Sequence, residues 1–477
     1  MSVVQWLIGL DIGTSAIKGV LMSSEGTIAA RERSGNDYQI SENGRIQFDA
    51  EQLYRTAADV IRRLAASLPS GSTVEGVSIA SASGNTLLVD HRGKPMMPAI
   101  SWMDTRVRDE IQKVFGELDS RQEYERIGWP LLPQFPLAHL AWIKCHHPEL
   151  LADSSFVCMT TDYILFRLTG RWGIDRSTAT TFYLQDQQAA TWHAPYLQQL
   201  GILEDKLPPI HLPGTRLGGL TAQAALDTGL APGTPVVLGA FDHPCAARGA
   251  GILDEGQLLL SCGTSWVGFY PVNDRRKAIE QNMLVDPFLQ PNGPWGAMRS
   301  LPAIAASIDK YIINYLSDGA DRYTVFDNYA SSAVPGADGL LLHPVLEEPA
   351  IDLSAYSKAD IARALMEGTV FLLKKQVDDL KAAGIPASTV TMVGGPMESR
   401  AWPQIVADVL GVTVNIVNGS CAGAVGAAIL AGIGTGLFAD ERDAWRQLQF
   451  PTRTLIPNPT RSTNYQQRFQ QFMSKYE

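Results

Sequence analysis

Charge is scarce in this chain. Only 18% of its 477 residues are Asp, Glu, Lys or Arg, and no long run of like charges occurs. Acidic residues outnumber basic ones, 49 to 39, for a formal net charge of −10. A nucleic-acid backbone demands a basic stripe, so nucleic acid is excluded as the main partner. A local basic pocket for a nucleotide is still compatible with this balance. Long hydrophobic runs are missing as well. None approaches the ~20 apolar residues of a membrane-spanning helix, so no membrane partner is expected. Met1–Trp6 shows no basic stretch followed by an apolar core, so no secretory signal is expected. Cysteine is sparse: Cys145, Cys158, Cys245, Cys262 and Cys421 are scattered, odd in number and without CxxC spacing. Free thiols in a reducing cytoplasm fit this pattern better than disulfides or a thiolate metal site.

What is present is a large apolar fraction, 45%, in a length that favours two or more domains. The most informative stretch is Leu7 to Leu21. An apolar run ends at Asp11, a turn follows at Gly13-Thr14-Ser15, and a second apolar run carries Lys18. This reads as a strand, a tight turn and a returning strand. Turn amides and the Thr14 and Ser15 hydroxyls suit phosphate oxygens. Asp11 suits a hydrated magnesium ion, and Lys18 a phosphate. From this stretch alone an ordinary hairpin is the favoured reading. The pattern returns in the second half. Gln257–Ser261 is a predicted strand, Cys262-Gly263-Thr264-Ser265 a turn, and Trp266–Tyr270 a returning strand. Two such hairpins predict a duplicated architecture: two α/β domains, each on a mixed sheet, with one phosphate loop per half and a cleft between them.

Other segments fill in the halves. Asp49 predicts a helix start, with Leu53, Ala57, Val60, Ile61 and Leu64 at helical spacing. Val74–Ala80 predicts a short strand leading to the polar turn Ser83-Gly84-Asn85-Thr86. Pro98 to Arg106 predicts the end of a strand and the opening of a helix. Within it, Trp102, Asp104 and Arg106 combine an aromatic plate with hydrogen-bonding charges, which suits a sugar. Asp104 as a helix cap paired with Arg108 is the alternative for the same residues. Val236–Ala240 predicts a strand ending at Phe241-Asp242-His243. A helix is predicted from about Lys358 to Ala383. Val390–Val393 predicts a strand that ends at Gly394-Gly395, with Ser399 before the next helix, a place where a nucleotide can approach backbone amides. Ala422–Gly432 is a helix of very small residues suited to close packing.

In this order the motifs resemble the FGGY carbohydrate kinases, in the superfamily of hexokinase, actin and the heat-shock chaperone ATPases. Asp11-Ile12-Gly13-Thr14-Ser15 with Lys18 resembles the first phosphate loop. Trp102-Met103-Asp104-Thr105-Arg106 resembles the sugar segment. Asp162-Tyr163, Leu168-Thr169-Gly170 and Asp175 resemble a further family pattern. Gly239-Ala240-Phe241-Asp242 resembles the segment with the catalytic aspartate, Gly263-Thr264-Ser265 the second phosphate loop, and Gly394-Gly395 through Ser399 the adenosine motif. The resemblance implies two ribonuclease-H-like (actin-like ATPase) domains with a central cleft. Residues 1–241 would carry the sugar site and first phosphate loop, and residues 242–477 the second phosphate loop and adenosine site. It implies ATP and Mg2+ as cofactors, a small sugar as substrate, a cytoplasmic enzyme and a homodimer. Asp242 is implied as general base and sugar contact, and Asp11 as metal holder. Gly13, Thr14, Ser15, Lys18, Gly263, Thr264 and Ser265 would grip phosphates, and Gly394, Gly395 and Ser399 would flank adenosine. Asn85, Trp102, Asp104 and Arg106 would face the sugar.

Three positions depart from the family. His139 stands where a lysine is usual, and Pro396 replaces a glycine and removes an amide donor. Ser83 to Thr86 lacks the Met-His pair of typical D-xylulose kinases. The expected substrate is a ketopentose of xylulose or ribulose type. Another polyol, a tetrulose, a deoxyketose or a sugar acid remains open, as does a non-catalytic nucleotide- or sugar-binding switch.

Overall fold

The amino-terminal hairpin forms where the sequence places it. β1 (Trp6–Ile12) and β2 (Ala16–Ser23) pair antiparallel, with Asp11 opposite Lys18 and Ile12 opposite Ile17. β3 (Ile28–Gly35) extends the sheet beside β2. α1 (Ala50–Ala66) follows, and its cap is Asp49, whose carboxylate accepts from Glu51 N and Gln52 N. The predicted stripe Leu53, Ala57, Val60, Ile61 and Leu64 is its buried face. β4 (Val74–Ser81) runs parallel to β1. After α2 (Thr160–Thr169) and the short α3 (Arg176–Thr180), β5 (Arg216–Gly219) and β6 (Pro235–Phe241) complete a six-stranded sheet ordered β5-β6-β4-β1-β2-β3. α4 (Asp242–Gly249) leaves directly from the end of β6.

The chain then repeats the plan. β7 (Gly256–Cys262) and β8 (Trp266–Val272) form the second hairpin, with Ser261 opposite Val267. β9 (Trp295–Leu301) lies beside β8. The long helix α5 (Lys358–Ala382) begins at its cap Ser357, and β10 (Ala387–Gly394) returns parallel to β7. α6 (Trp402–Leu410) and β11 (Thr413–Ile416) follow, then α7 (Ala422–Gly434), the edge strand β12 (Arg453–Leu455) and a terminal helix over Pro459–Tyr476.

This computed structural model describes residues 4–107, 109–263, 265–289, 293–301, 304–346 and 351–476; Thr264 and Arg108 lie outside them. The described chain forms two units. Unit 1 comprises Met1–Leu253, Asp274–Gly296 and Cys421–Phe450; unit 2 comprises Asp254–Asn273, Ala297–Ser420 and Pro451–Glu477.

In unit 1, strand alternation sends β1 side chains to both faces of the sheet. Ile8, Leu10 and Ile12 join a core under α1, while Leu7 joins Val20, Met22 and the α7 residues Ala424, Val425 and Ala428. Both faces are covered, which is why the strand reads as an almost unbroken apolar run. Every residue of α7 from Ala422 to Gly432 is buried. The five cysteines carry no disulfide; Cys145 is exposed and the other four are buried. No helix among the described residues is long and apolar enough to cross a membrane.

One local expectation needs correcting. The chain after Ile100 does not open a helix at Asp104. The next helix spans Glu110–Phe115 with Asp109 at its cap position. Asp104 instead spends Oδ2 on the Ile46 N–H at 3.0 Å, so it ties a loop to a strand rather than capping a helix.

Candidate functional site

In unit 1 the strand ends bring two carboxylates into electrostatic contact. Asp11 is the penultimate residue of β1, and Asp242 is the first residue of α4. Burial, then repulsion from Asp242, pushes the Asp11 carboxyl up to about 7, against the opposing pull of Lys18. Burial also raises Asp242 above the ordinary carboxylate range, with His243 pulling the other way. His243 follows Asp242 within the first helical turn, not along a strand. Its backbone N–H donates to Asp242 Oδ1 at 2.7 Å. A Cβ at Gly423 of α7 would stand 2.6 Å from Asp11 Oδ2, so glycine there makes room for the carboxylate.

The first turn is held from outside the hairpin. Gly13 N–H donates to Ala16 O at 3.0 Å, and Asn36, which sequence reasoning missed, donates its Nδ2 to Gly13 O at 2.7 Å. Trp102 Nε1 donates to Thr14 Oγ1 at 3.4 Å, which brings the aromatic plate to the turn. Ser15 is exposed. A small cavity opens here among Gly13, Asn36, Tyr38, Asn85, Ser101 and Trp102. Asn85 accepts from Thr160 N at 2.8 Å, which leaves its Nδ2 with no partner among the described residues.

The fully buried Asp104 pairs with the half-buried Arg106, Nε to Oδ2 at 3.1 Å. The Asp104 carboxylate also accepts from the Ile46 and Arg106 amides. The Arg106 guanidinium lies 4.5 Å over the Trp142 ring, and its Nη2 is buried without a partner among the described residues. Nearby, His139 is fully buried and pairs Nδ1 with Thr86 Oγ1 at 2.9 Å. Burial pushes its imidazole down to about 3, so it stays neutral.

Unit 2 builds a different kind of site on the same plan. A cavity of about 710 Å3 is lined by Gly263, Trp266, Tyr323, Phe326, Asp327, Gly395, Pro396, Ser399 and Trp402, among others. The Trp266 and Trp402 rings stand 4.9 Å apart, giving an aromatic wall fit for a flat base. Gly394 ends β10 at φ +96, where a Cβ would meet Cys262 O at 2.3 Å; only glycine fits this turn. Ser399 donates to Asp327 and accepts from the Ala401 and Trp402 amides at 3.0 and 2.9 Å. Asp327 also accepts from Arg400 N at 3.1 Å. No motif surrounds Asp327 in the sequence, so only packing discloses it. Gly263 and Ser265 bound the second turn, with Gly263 N–H donating to Ser265 O at 3.3 Å.

Among the described residues, no group of three or more His, Cys, Asp or Glu side chains could cage a metal. Two mutually repelling carboxylates nonetheless suit magnesium, which takes one or two carboxylates and keeps its waters or substrate phosphates.

Comparison with known proteins agrees with this geometry. A family model for the N-terminal domain of the FGGY carbohydrate kinases matches residues 6–249, and one for the C-terminal domain matches residues 258–435. The L-xylulose/3-keto-L-gulonate kinase of Escherichia coli is 28% identical over 98% of this chain and 96% of its own length. The autoinducer-2 kinase of Salmonella typhimurium is 27% identical over 99% of this chain and 94% of its own. The crystal structure of xylulose kinase from Rhodospirillum rubrum superposes with a TM-score of 0.86 at 27% identity, covering 99% of this chain and 98% of that one. Glycerol kinase of Plasmodium falciparum, solved with ADP, shares the fold at a TM-score of 0.84 and 16% identity, over 99% and 98% of the two chains. The fold is that of the actin-like ATPases, and this chain is an enzyme that belongs to the FGGY family of carbohydrate kinases.

Proposed function

We propose that this enzyme transfers the γ-phosphate of ATP to a terminal hydroxyl of a ketopentose of xylulose or ribulose type. The observation that carries the reading is the half-buried carboxylate pair of unit 1, Asp11 near the end of β1 and Asp242 at the start of α4, beside a turn that carries the Thr14 and Ser15 hydroxyls. Asp242 accepts the proton of the acceptor hydroxyl as the new oxygen–phosphorus bond forms. The bond from the γ-phosphorus to the β–γ bridging oxygen breaks, and ADP leaves. The raised basicity of Asp242 fits this task, because a base works best when its pKa approaches the operating pH. Asp11 would hold a hydrated magnesium ion, whose charge would neutralise phosphate oxygens. Gly13, Thr14 and Ser15 of the first turn, with Lys18 from β2, contact phosphate, as do Gly263 and Ser265 at the second turn and, by the family resemblance, Thr264. Gly394, Gly395 and Ser399 flank the adenosine, for which the cavity walled by Trp266 and Trp402 offers stacking.

For the sugar, Asn85 Nδ2 and Arg106 Nη2 are the donors that the chain itself leaves without partners among the described residues. Trp102 supplies the apolar plate. Asp104 fixes Arg106 rather than meeting the sugar, since its oxygens are taken by Ile46 and Arg106. The relative named for L-xylulose and 3-keto-L-gulonate supports a small keto sugar.

The test is ADP release with ATP, Mg2+ and a panel of D- and L-xylulose, D- and L-ribulose, polyols and sugar acids. Turnover is expected to be highest with one of the ketopentoses. Turnover confined to a polyol or a sugar acid overturns the substrate class, and none with any member favours the binding switch.

A further inference from the structure

The end of β6 is not held by the sheet alone. Its ladder to β4 runs in register through Leu238 opposite Ile79, then slips, so that Phe241 lies opposite Ser81. The Phe241 N–H, next to Asp242, donates instead to Ser177 Oγ at 3.2 Å. Ser177 sits in the first turn of α3, whose cap Asp175 accepts from Thr178 N at 2.9 Å. The Ser177 hydroxyl in turn donates to Asp286 Oδ2 at 2.7 Å. Ser177 and Asp286 are both fully buried, and Asp286 Oδ1 has no hydrogen-bond partner among the described residues. Burial of an acid with one unpartnered oxygen costs stability. Here that acid fixes a hydroxyl's direction. With its proton committed to Asp286, Ser177 can only present a lone pair to Phe241.

We propose that Asp286 and Ser177 are positioning residues for the reaction: they orient the Phe241 amide and thereby set the place of the Asp242 carboxylate. The inference rests on the assignment of Asp242 as the base. Asp242 begins α4 with its Oδ1 accepting from the His243 N–H at 2.7 Å, and the Phe241 peptide that Ser177 aims leads directly into it, beyond the β4 ladder. The Phe241 side chain is braced as well, edge-on to Trp129 at 5.6 Å. Neither Ser177 nor Asp286 lines the cavities described above.

The test is steady-state kinetics on Ser177→Ala, Ser177→Thr, Asp286→Ala and the double variant Ser177→Ala/Asp286→Ala, with Asp242→Asn alongside. Misplacement of a base by a fraction of an ångström to 1 Å lowers kcat by about 10–100-fold. That loss is expected for Ser177→Ala and Asp286→Ala, with KM for sugar and for ATP changed less than about threefold, as for an interaction made in the transition state. The double variant is expected to lose no more than the worse single one, because the two act as one unit. Ser177→Thr keeps the hydroxyl and is expected to restore most of kcat. Ser177→Ala at parental kcat, with Asp242→Asn inactive, overturns the relay and leaves the base standing. Loss in Ser177→Ala that Ser177→Thr does not relieve, or that tracks a fallen melting temperature, overturns it too. Full turnover in Asp242→Asn overturns the parent reading instead.

Discussion

The two hairpins are built alike and carry opposite chemistry. Aligned on Gly13 and Gly263, Asp11 corresponds to Ser261. Asp11 faces Lys18 across its hairpin, whereas Ser261 faces Val267. In unit 1 the neighbouring strand end adds Asp242 and a buried acid behind it, Asp286. In unit 2 the corresponding surroundings are Trp266, Trp402 and glycine backbone. The difference teaches how a duplicated scaffold divides labour. The sheet order that brings strand ends together is shared, and the side chains at those ends decide what is bound. One copy concentrates carboxylates, the groups proposed above to take a proton and hold a metal. The other offers an apolar wall, with the Trp266 and Trp402 rings inclined at 59° to each other, and a glycine turn at Gly394 and Gly395.

The comparison breaks most visibly at the aromatic wall. Trp402→Ala empties a buried position in unit 2 and is expected to cost about 3–5 kcal/mol by chemical denaturation. ATP affinity by calorimetry is expected to fall with it while sugar binding persists. Equal loss of both ligands contradicts the division. Gly394→Ala comes next: backbone strain at φ +96 and the approach to Cys262 O are expected to cost about 1–3 kcal/mol and to weaken ATP binding.

Asp11 sharpens the charged side. Its folded pKa of about 7 lies above the ordinary 3.8, so the fold prefers the protonated carboxyl. The penalty is absent below about pH 4 and grows as pH rises toward 7. Asp11→Asn removes it, so its gain in melting temperature without nucleotide is expected to be larger at pH 8 than at pH 5. A gain that is larger at pH 5 contradicts this electrostatics. The smallest effect on the sugar is expected from Thr14→Val, which loses the long bond from Trp102 at the turn. A neutral hydrogen bond of this kind contributes about 0.5–1.5 kcal/mol, so KM for the sugar should rise by no more than about tenfold.

Local signals in the sequence carry much of this. The apolar run that ends at Asp11, the glycine turns, the Asp49 cap and the spacing of Leu53 to Leu64 are properties of neighbouring residues, and all appear in the fold. The helix Lys358–Ala382 is legible for the same reason. What escapes is set by partners far along the chain. Asp104 looks like a cap until Ile46, from another strand, takes its oxygen. Asp327 meets Ser399, and Asp286 meets Ser177, without any motif to mark either acid. A side chain's type is local, but the hydrogen bond that uses it is tertiary.

The central claim is that charge in unit 1 performs the chemistry and the aromatic cavity of unit 2 binds the nucleotide. Asp242→Asn tests it most directly, by ADP release and ATP affinity measured on the same preparation. The account predicts a fall in kcat of about 10²–10⁴-fold, with ATP affinity kept within about twofold. Parental turnover in Asp242→Asn contradicts it.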